Sequence, residues 1–214
     1  MTIGTYGLEL LSLMAIFAFA IISPGADLAM VIRQSLAHGR KAAIVTSLGI
    51  GASLMFHVSY TILGLGIVIS QSILLFNIIK WSGVAYLVLI GIAALRAGDA
   101  DMSSGADSVA SGGGQSPLKS FGLGFMANAL NPKPVFFFLS IFSALVSHQT
   151  PGLVKLGYGA VMSLALIAWF VGVSFFMTTP RMRVLFARMS KWINRASGLV
   201  FIGFGLKLAT EKAG

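Results

Sequence analysis

Asn128-Ala129-Leu130-Asn131-Pro132-Lys133-Pro134 interrupts an otherwise apolar run from Phe121 to Val146. A run of that length can cross a bilayer, which takes about 20 residues. Pro132 and Pro134 remove two backbone donors and free carbonyls in mid-span. Such a break is tolerated in a membrane only where protein buries it or where it lines a wet cavity. Lys133 beside it is costly, on the order of 3 kcal/mol on insertion scales. Asn128 and Asn131 are three apart and share a helix face. Ser23-Pro24-Gly25-Ala26-Asp27 repeats the theme in the first apolar run, with a break, a glycine and a carboxylate. Two broken spans, one carrying a cation and one an anion, point to a transport site.

Composition sets the setting. The 214 residues are 57% hydrophobic and 10% charged, with a mean hydropathy of +0.90. A soluble domain of this length cannot hide so much apolar surface. The class is therefore an all-α polytopic membrane protein. The absence of cysteine excludes disulfides, thiolate metal sites and thiol redox chemistry. A net charge of +9 would suggest nucleic acid in a soluble protein; here basic loops on the cytoplasmic side account for it, with no nucleic-acid partner. The first apolar run has no basic residue before it and no small-residue cleavage pattern after it, so no cleavable signal peptide is expected.

Six spans are expected: Leu8–Ile32, Ala42–Ser70, Ile73–Leu95, Phe121–Val146, Val154–Thr179 and Ala196–Thr210. Gln71-Ser72 is the only polar gap between the second and third, which requires a tight turn there. Lys80 is expected to snorkel from the start of span three, and Lys207 from the end of span six. Basic residues gather after span one (Arg33, Arg40, Lys41), around the loop after span three (Arg96, Lys119) and after span five (Arg181 to Arg195). These loops belong in the cytoplasm, which places both termini outside; Lys207 and Lys212 argue mildly against it. Residues 181–195 interleave bases with Met182, Leu185, Phe186, Met189 and Trp192, and read as a basic amphipathic helix on the lipid of the cytoplasmic leaflet.

The chain divides into a three-helix repeat over 1–96, a Gly/Ser/Asp-rich linker over 97–120 and a second three-helix repeat over 121–214. Lys80-Trp81-Ser82-Gly83-Val84-Ala85-Tyr86 matches Arg195-Ala196-Ser197-Gly198-Leu199-Val200-Phe201 in base, Ser-Gly and aromatic. Both halves begin with a proline-broken span, helices 1 and 4. An odd number of spans per half makes the second enter from the opposite face, which is an inverted repeat.

Several residues admit two readings. Asp27 is a carboxylate that titrates or binds an ammonium group, or an N-cap at the restart after Pro24-Gly25, and the two are compatible. Lys133 holds a substrate carboxylate, or serves as counter-ion to Asp27. Asn128 and Asn131 bind substrate, or satisfy carbonyls freed by Pro132 and Pro134, with Asn131 nearer the break. His57, on one face with Ser53 and Tyr60, is a satisfied hydrogen-bonding residue or a proton relay. Gly49 with Ser53, and Ser47 with Gly51, mark close helix packing. Phe136, Phe137 and Phe138 face lipid or pack. Asp27 is taken as the only acid in the membrane interior. No HExxH, GxSxG, phosphate loop or dinucleotide fingerprint occurs, so no enzyme, cofactor or metal is expected. Without an ATP-binding domain, pumping must draw on an ion gradient or the membrane potential.

Ser23-Pro24-Gly25-Ala26-Asp27, Gly39-Arg40-Lys41-Ala42-Ala43, Gly83 to Gly91 with Arg96, Phe121-Gly122-Leu123-Gly124-Phe125 and Asn128 to Lys133 carry a further signal. In order and spacing they resemble the lysine exporter (LysE) superfamily, in its homoserine/threonine-exporter (RhtB) branch. The family usually has a second proline where this chain has Ala26. The resemblance implies a bacterial inner-membrane exporter of amino acids driven by the proton-motive force. It also implies six spans in two inverted repeats, and it admits a homodimer. The expected activity is thus secondary, proton-coupled export of a small neutral or hydroxylated amino acid bound between helices 1 and 4. The expected substrate residues are Asp27, Asn128, Asn131, Lys133, Pro24, Gly25 and Pro132, with Asp27 and His57 as relay candidates. The rivals are a cation or metal exporter on a related fold and a non-transporting scaffold subunit.

Overall fold

Ser116 and Asn131 each stand one residue before a proline, and each starts a helix. The Ser116 side chain accepts a hydrogen bond from the Lys119 backbone N–H, and the Asn131 side chain accepts one from that of Lys133. Proline suits the first helical position because its missing N–H has no intrahelical partner there, while Ser and Asn are favoured caps. In this computed structural model, which describes residues 3–71, 73–97, 115–147, 149–176 and 179–210, the described residues form seven helices. They are α1 (Ile3–Ile22), α2 (Ala26–Gln71), α3 (Ile73–Arg96), α4 (Pro117–Ala129), α5 (Pro132–Leu145), α6 (Gly152–Phe176) and α7 (Pro180–Thr210). The expected all-helical class holds, and both proline breaks lie where the sequence puts them: after Ile22 and after Ala129. By length and composition, three of the described helices can cross a membrane, over Gly4–Ile22, Ala26–Gly64 and Gly152–Phe176.

Helices pack most intimately where side chains vanish. A Cβ at Gly49 would run into the Phe121 carbonyl, and one at Gly124 into that of Thr46, so α2 and α4 touch backbone to backbone. Thr46 Oγ1 ties the pair by donating to the Ser120 carbonyl at 3.1 Å. Along α3 and α7, a Cβ at Gly91 would lie 2.9 Å from the Gly198 carbonyl, and one at Gly198 2.7 Å from that of Gly91. Ser163 of α6 donates to the Gly51 carbonyl at 2.8 Å. The expected small-residue packing at Gly49 and Gly51 is therefore present. An aromatic cluster of Phe17, Phe137, Phe138, Phe142 and Phe201 fills the centre. Phe137 and Phe138 pack, while Phe136 is exposed and stacks on Tyr86 with ring centroids 5.0 Å apart.

Four expectations need correction. The basic stretch after span one is not a loop: α2 runs through Arg33, Arg40 and Lys41, with non-helical angles only at Gly39 (φ 83°, ψ 172°). Glycine reaches those angles without a Cβ clash, so the helix kinks there instead of ending. Residues 181–195 do not form a helix separate from span six. A single 31-residue helix, α7, carries both, about 46 Å long at 1.5 Å per residue. No glycine or proline falls between Arg181 and Arg195 to stop it, and Ser190, Asn194 and Ser197 are buried. Lys80 does not snorkel; it is buried, with Nζ 5.4 Å from the Trp81 ring. Finally, Asp27 is not the only interior acid, because Glu9 of α1 is buried as well. The turn at Ser72 and most of the linker lie outside the described residues.

Candidate functional site

Pro132 has no N–H to give to the Asn128 carbonyl four residues earlier. That carbonyl finds two other donors: the Asn131 backbone N–H at 3.0 Å and His57 Nε2 at 3.2 Å. A carbonyl only accepts, so Nε2 carries the proton and Nδ1 accepts from the Tyr60 hydroxyl at 2.6 Å. His57 is thus a buried, doubly satisfied residue of α2 that mends the break between α4 and α5.

Side chains of α7 also reach the first break. Ser197 Oγ adds a second donor, at 3.2 Å, to the Phe19 carbonyl that already accepts from the Ser23 backbone N–H at 3.1 Å, and Ser23 Oγ donates to Asn194 Oδ1 at 3.4 Å. Asn194 was missed by sequence reading; the signal available was an amide among the bases of a helical stretch.

Between the two breaks lies a cavity of about 60 Å³, lined among others by Gly25, Asp27, Asn128, Asn131 and Lys133. Asn128 Nδ2 donates to Asp27 Oδ2 at 2.9 Å. The other oxygens, Asp27 Oδ1 and Asn128 Oδ1, are buried with no protein donor. Lys133 shares the cavity and lies within electrostatic reach of Asp27, yet no ion pair shorter than 4.0 Å joins them. Its Nζ approaches Gly25, 3.7 Å from where a Cβ would stand. Asp27 sits in the first turn of α2 and Lys133 in that of α5, so two helix N-termini with their free N–H groups bound the same space. Phe17, Leu54, Phe138, Leu166 and Phe170 supply apolar lining to the same cavity.

Of the residues singled out in sequence, Gly25, Asp27, Asn128, Asn131 and Lys133 are brought together. Pro24 and Pro132 shape the breaks but do not line the cavity, and His57 supports Asn128 from behind. The arrangement is amphipathic at small scale, with one anion, one cation, two amides and an aromatic wall. Such a space suits a small zwitterion.

The profile of a protein family described as LysE type translocator matches residues 18–212. The chain belongs to the LysE type translocator family. Among its curated relatives is the "Threonine efflux protein" of Salmonella typhi, 33% identical over 90% of this chain and 93% of that protein. The "Uncharacterized membrane protein YrhP" of Bacillus subtilis is 31% identical over 93% of this chain and 97% of its own length. The "Homoserine/homoserine lactone efflux protein" of Salmonella typhimurium is 28% identical, covering 89% and 91%. No solved structure matches the chain. Membership in this translocator family, with relatives of the homoserine/threonine branch, agrees with the motifs at Pro24-Gly25 and Asn131-Pro132-Lys133, and it sets the chain among transporters and not enzymes.

Proposed function

We propose that this chain is a secondary active exporter of small amino acids, of the class named for its threonine and homoserine relatives, in the bacterial inner membrane. The observation that carries the reading is the pair of buried, unpartnered acceptors, Asp27 Oδ1 and Asn128 Oδ1, in one cavity with Lys133. An α-ammonium group has three donors and no acceptor, so it suits those two oxygens. A carboxylate suits the Lys133 ammonium and the free N–H groups at the starts of α2 and α5. The cavity of about 60 Å³ holds about four to six water-sized groups, taking roughly 10–15 Å³ for each. That is room for the zwitterionic end of a small amino acid.

Six spans in two inverted repeats, with both termini outside, would place this cavity between the repeats, open alternately to each side as they rock. Exchange of one zwitterion for one inward proton moves one charge. It yields about 2.3 kcal/mol per 100 mV, or roughly a fifty-fold uphill gradient at about 1.4 kcal/mol per tenfold. Asp27 is the group proposed to exchange that proton.

The test is efflux from vesicles preloaded with a mixture of amino acids, with and without a proton gradient, for wild type and Lys133→Ala. Gradient-dependent loss of one or a few amino acids, absent in the variant, is the expected result. Wild-type protein that is folded and inserted but releases none of them overturns the reading.

A further inference from the structure

A second, larger space lies apart from the substrate cavity, among basic and polar residues of α2 and the start of α4. It measures about 240 Å³ and is lined by Arg33, Gln34 and His38 of α2 and by Gln115, Lys119 and Leu123 at the start of α4, among others. Gln34 and His38 are four apart on α2, Lys119 and Leu123 four apart on α4, and Gln115 stands just before the Ser116 cap of α4. Two fixed cations, Arg33 and Lys119, stand at its mouth, both exposed. No acid is among its lining residues, and neither cation has an ion-pair partner among the described residues. Deeper in, the Gln34 side chain is 4% exposed and is oriented by Gln115 Nε2, which donates to Gln34 Oε1 at 3.0 Å and to Ser120 Oγ at 3.0 Å. His38 Nδ1 is buried without a partner. The nearby Arg40 is otherwise engaged, its guanidinium 4.5 Å from the Phe175 ring centroid.

We propose that this cavity binds a phosphate-bearing anion, bridging the leading segment of α2 to the start of α4. Guanidinium presents a planar fork that matches phosphate oxygens, and ammonium adds a point charge. A buried amide and an imidazole supply further polar contacts at the base. Basic pockets between helices at the cytoplasmic side of membrane proteins suit lipid head groups, and a free phosphate carries the same chemistry. The anion would join Arg33 and His38, which share a helical segment with Asp27, to the body of the protein. Occupancy would thereby bias the position of one wall of the substrate cavity.

Thermal unfolding of the purified full-length protein in detergent tests this, with phosphatidylglycerol, phosphatidylcholine or inorganic phosphate added. At ten times the dissociation constant a bound anion raises Tm by about 3–6 °C. The rise is expected with phosphatidylglycerol and not with phosphatidylcholine. It should be lost in Lys119→Gln, an exposed position where the change leaves the fold intact, and in Arg33→Gln. It should persist in Arg188→Gln, a basic site on α7. A rise with phosphatidylglycerol alone assigns the site to a lipid head group; a rise with inorganic phosphate too assigns it to phosphate at large. An equal rise with phosphatidylcholine, or a rise unchanged by Lys119→Gln, overturns the proposal. So does a response that appears only when Asp99, Asp101 and Asp107 are changed to Asn, since the chain's own carboxylates would then be the occupants.

Discussion

Asn128 divides its labour: its amide donates to Asp27, and its carbonyl is held by His57. Asp27→Asn keeps an oxygen for that amide and removes the charge. Losing a charged hydrogen bond costs about 1.5–3 kcal/mol, so substrate affinity in counterflow should fall roughly 10- to 100-fold, with the thermal stability little changed. An unchanged affinity would separate Asp27 from substrate binding. For His57 the expectation is structural. His57→Leu takes one of its two donors from the Asn128 carbonyl and strands the Tyr60 hydroxyl, costing about 1–3 kcal/mol, so the unfolding temperature should drop by several degrees. His57→Gln, which keeps an N–H donor, should recover part of that. A His57→Leu protein as stable as wild type, with a shifted pH profile of transport, would restore the relay reading. Sequence alone placed Asn128, Asn131, Asp27 and Lys133 at breaks. It could not show that Asn128, and not Lys133, is the direct partner of Asp27, because that pairing spans 101 positions and depends on how two helices cross.

At the level of elements, the crossing of α2 and α4 offers a sharp contrast. Gly124→Ala drives a Cβ into the Thr46 carbonyl, and overpacking of this kind costs about 1–3 kcal/mol or more. Gly157→Ala, in α6 with nothing within 4 Å of the new Cβ, should be neutral or stabilising by up to about 1 kcal/mol, since alanine is the better helix former. Thermal unfolding of the two variants side by side measures the difference. Glu9 belongs to the same scale. Its carboxylate accepts from the Ser147 backbone N–H at 2.9 Å, the Thr150 hydroxyl at 3.0 Å and the Tyr158 hydroxyl at 2.8 Å. It thereby ties α1 to the turn between α5 and α6. Glu9→Ala removes the acceptor that those three donors share and should destabilise more than Asp27→Asn does. The helix breaks were legible because proline and its preceding cap act locally. The continuity of α7 was not, because bases between apolar residues look alike on a surface helix and on the end of a long spanning one.

Taken whole, the molecule gathers its bases around the Gly39 kink of α2, at the end of α3 and start of α4, and along the first half of α7, and the orientation they imply is open to test. Reporter fusions at the two termini should read as outside, and one within residues 98–114 as cytoplasmic; the reverse pattern would invert the export geometry. The two halves also meet extensively, α2 on α4 and α3 on α7. Residues 1–96 and 115–214 expressed as separate chains should therefore co-purify. The hydropathy of the sequence was enough to give helices and a membrane setting, whereas the pairing of α3 with α7 rests on Gly91 meeting Gly198, a contact no local pattern announces. The rocking proposed above would need joints, and the kink at Gly39 offers one. A side chain there would have open space, nothing lying within 4 Å, yet its backbone angles are strained for any L-residue. The demand at this joint is therefore one of handedness and not of room. A D-alanine placed at position 39 by chemical ligation would sit in the mirror image of an ordinary extended conformation and stiffen the joint, while L-alanine would strain it.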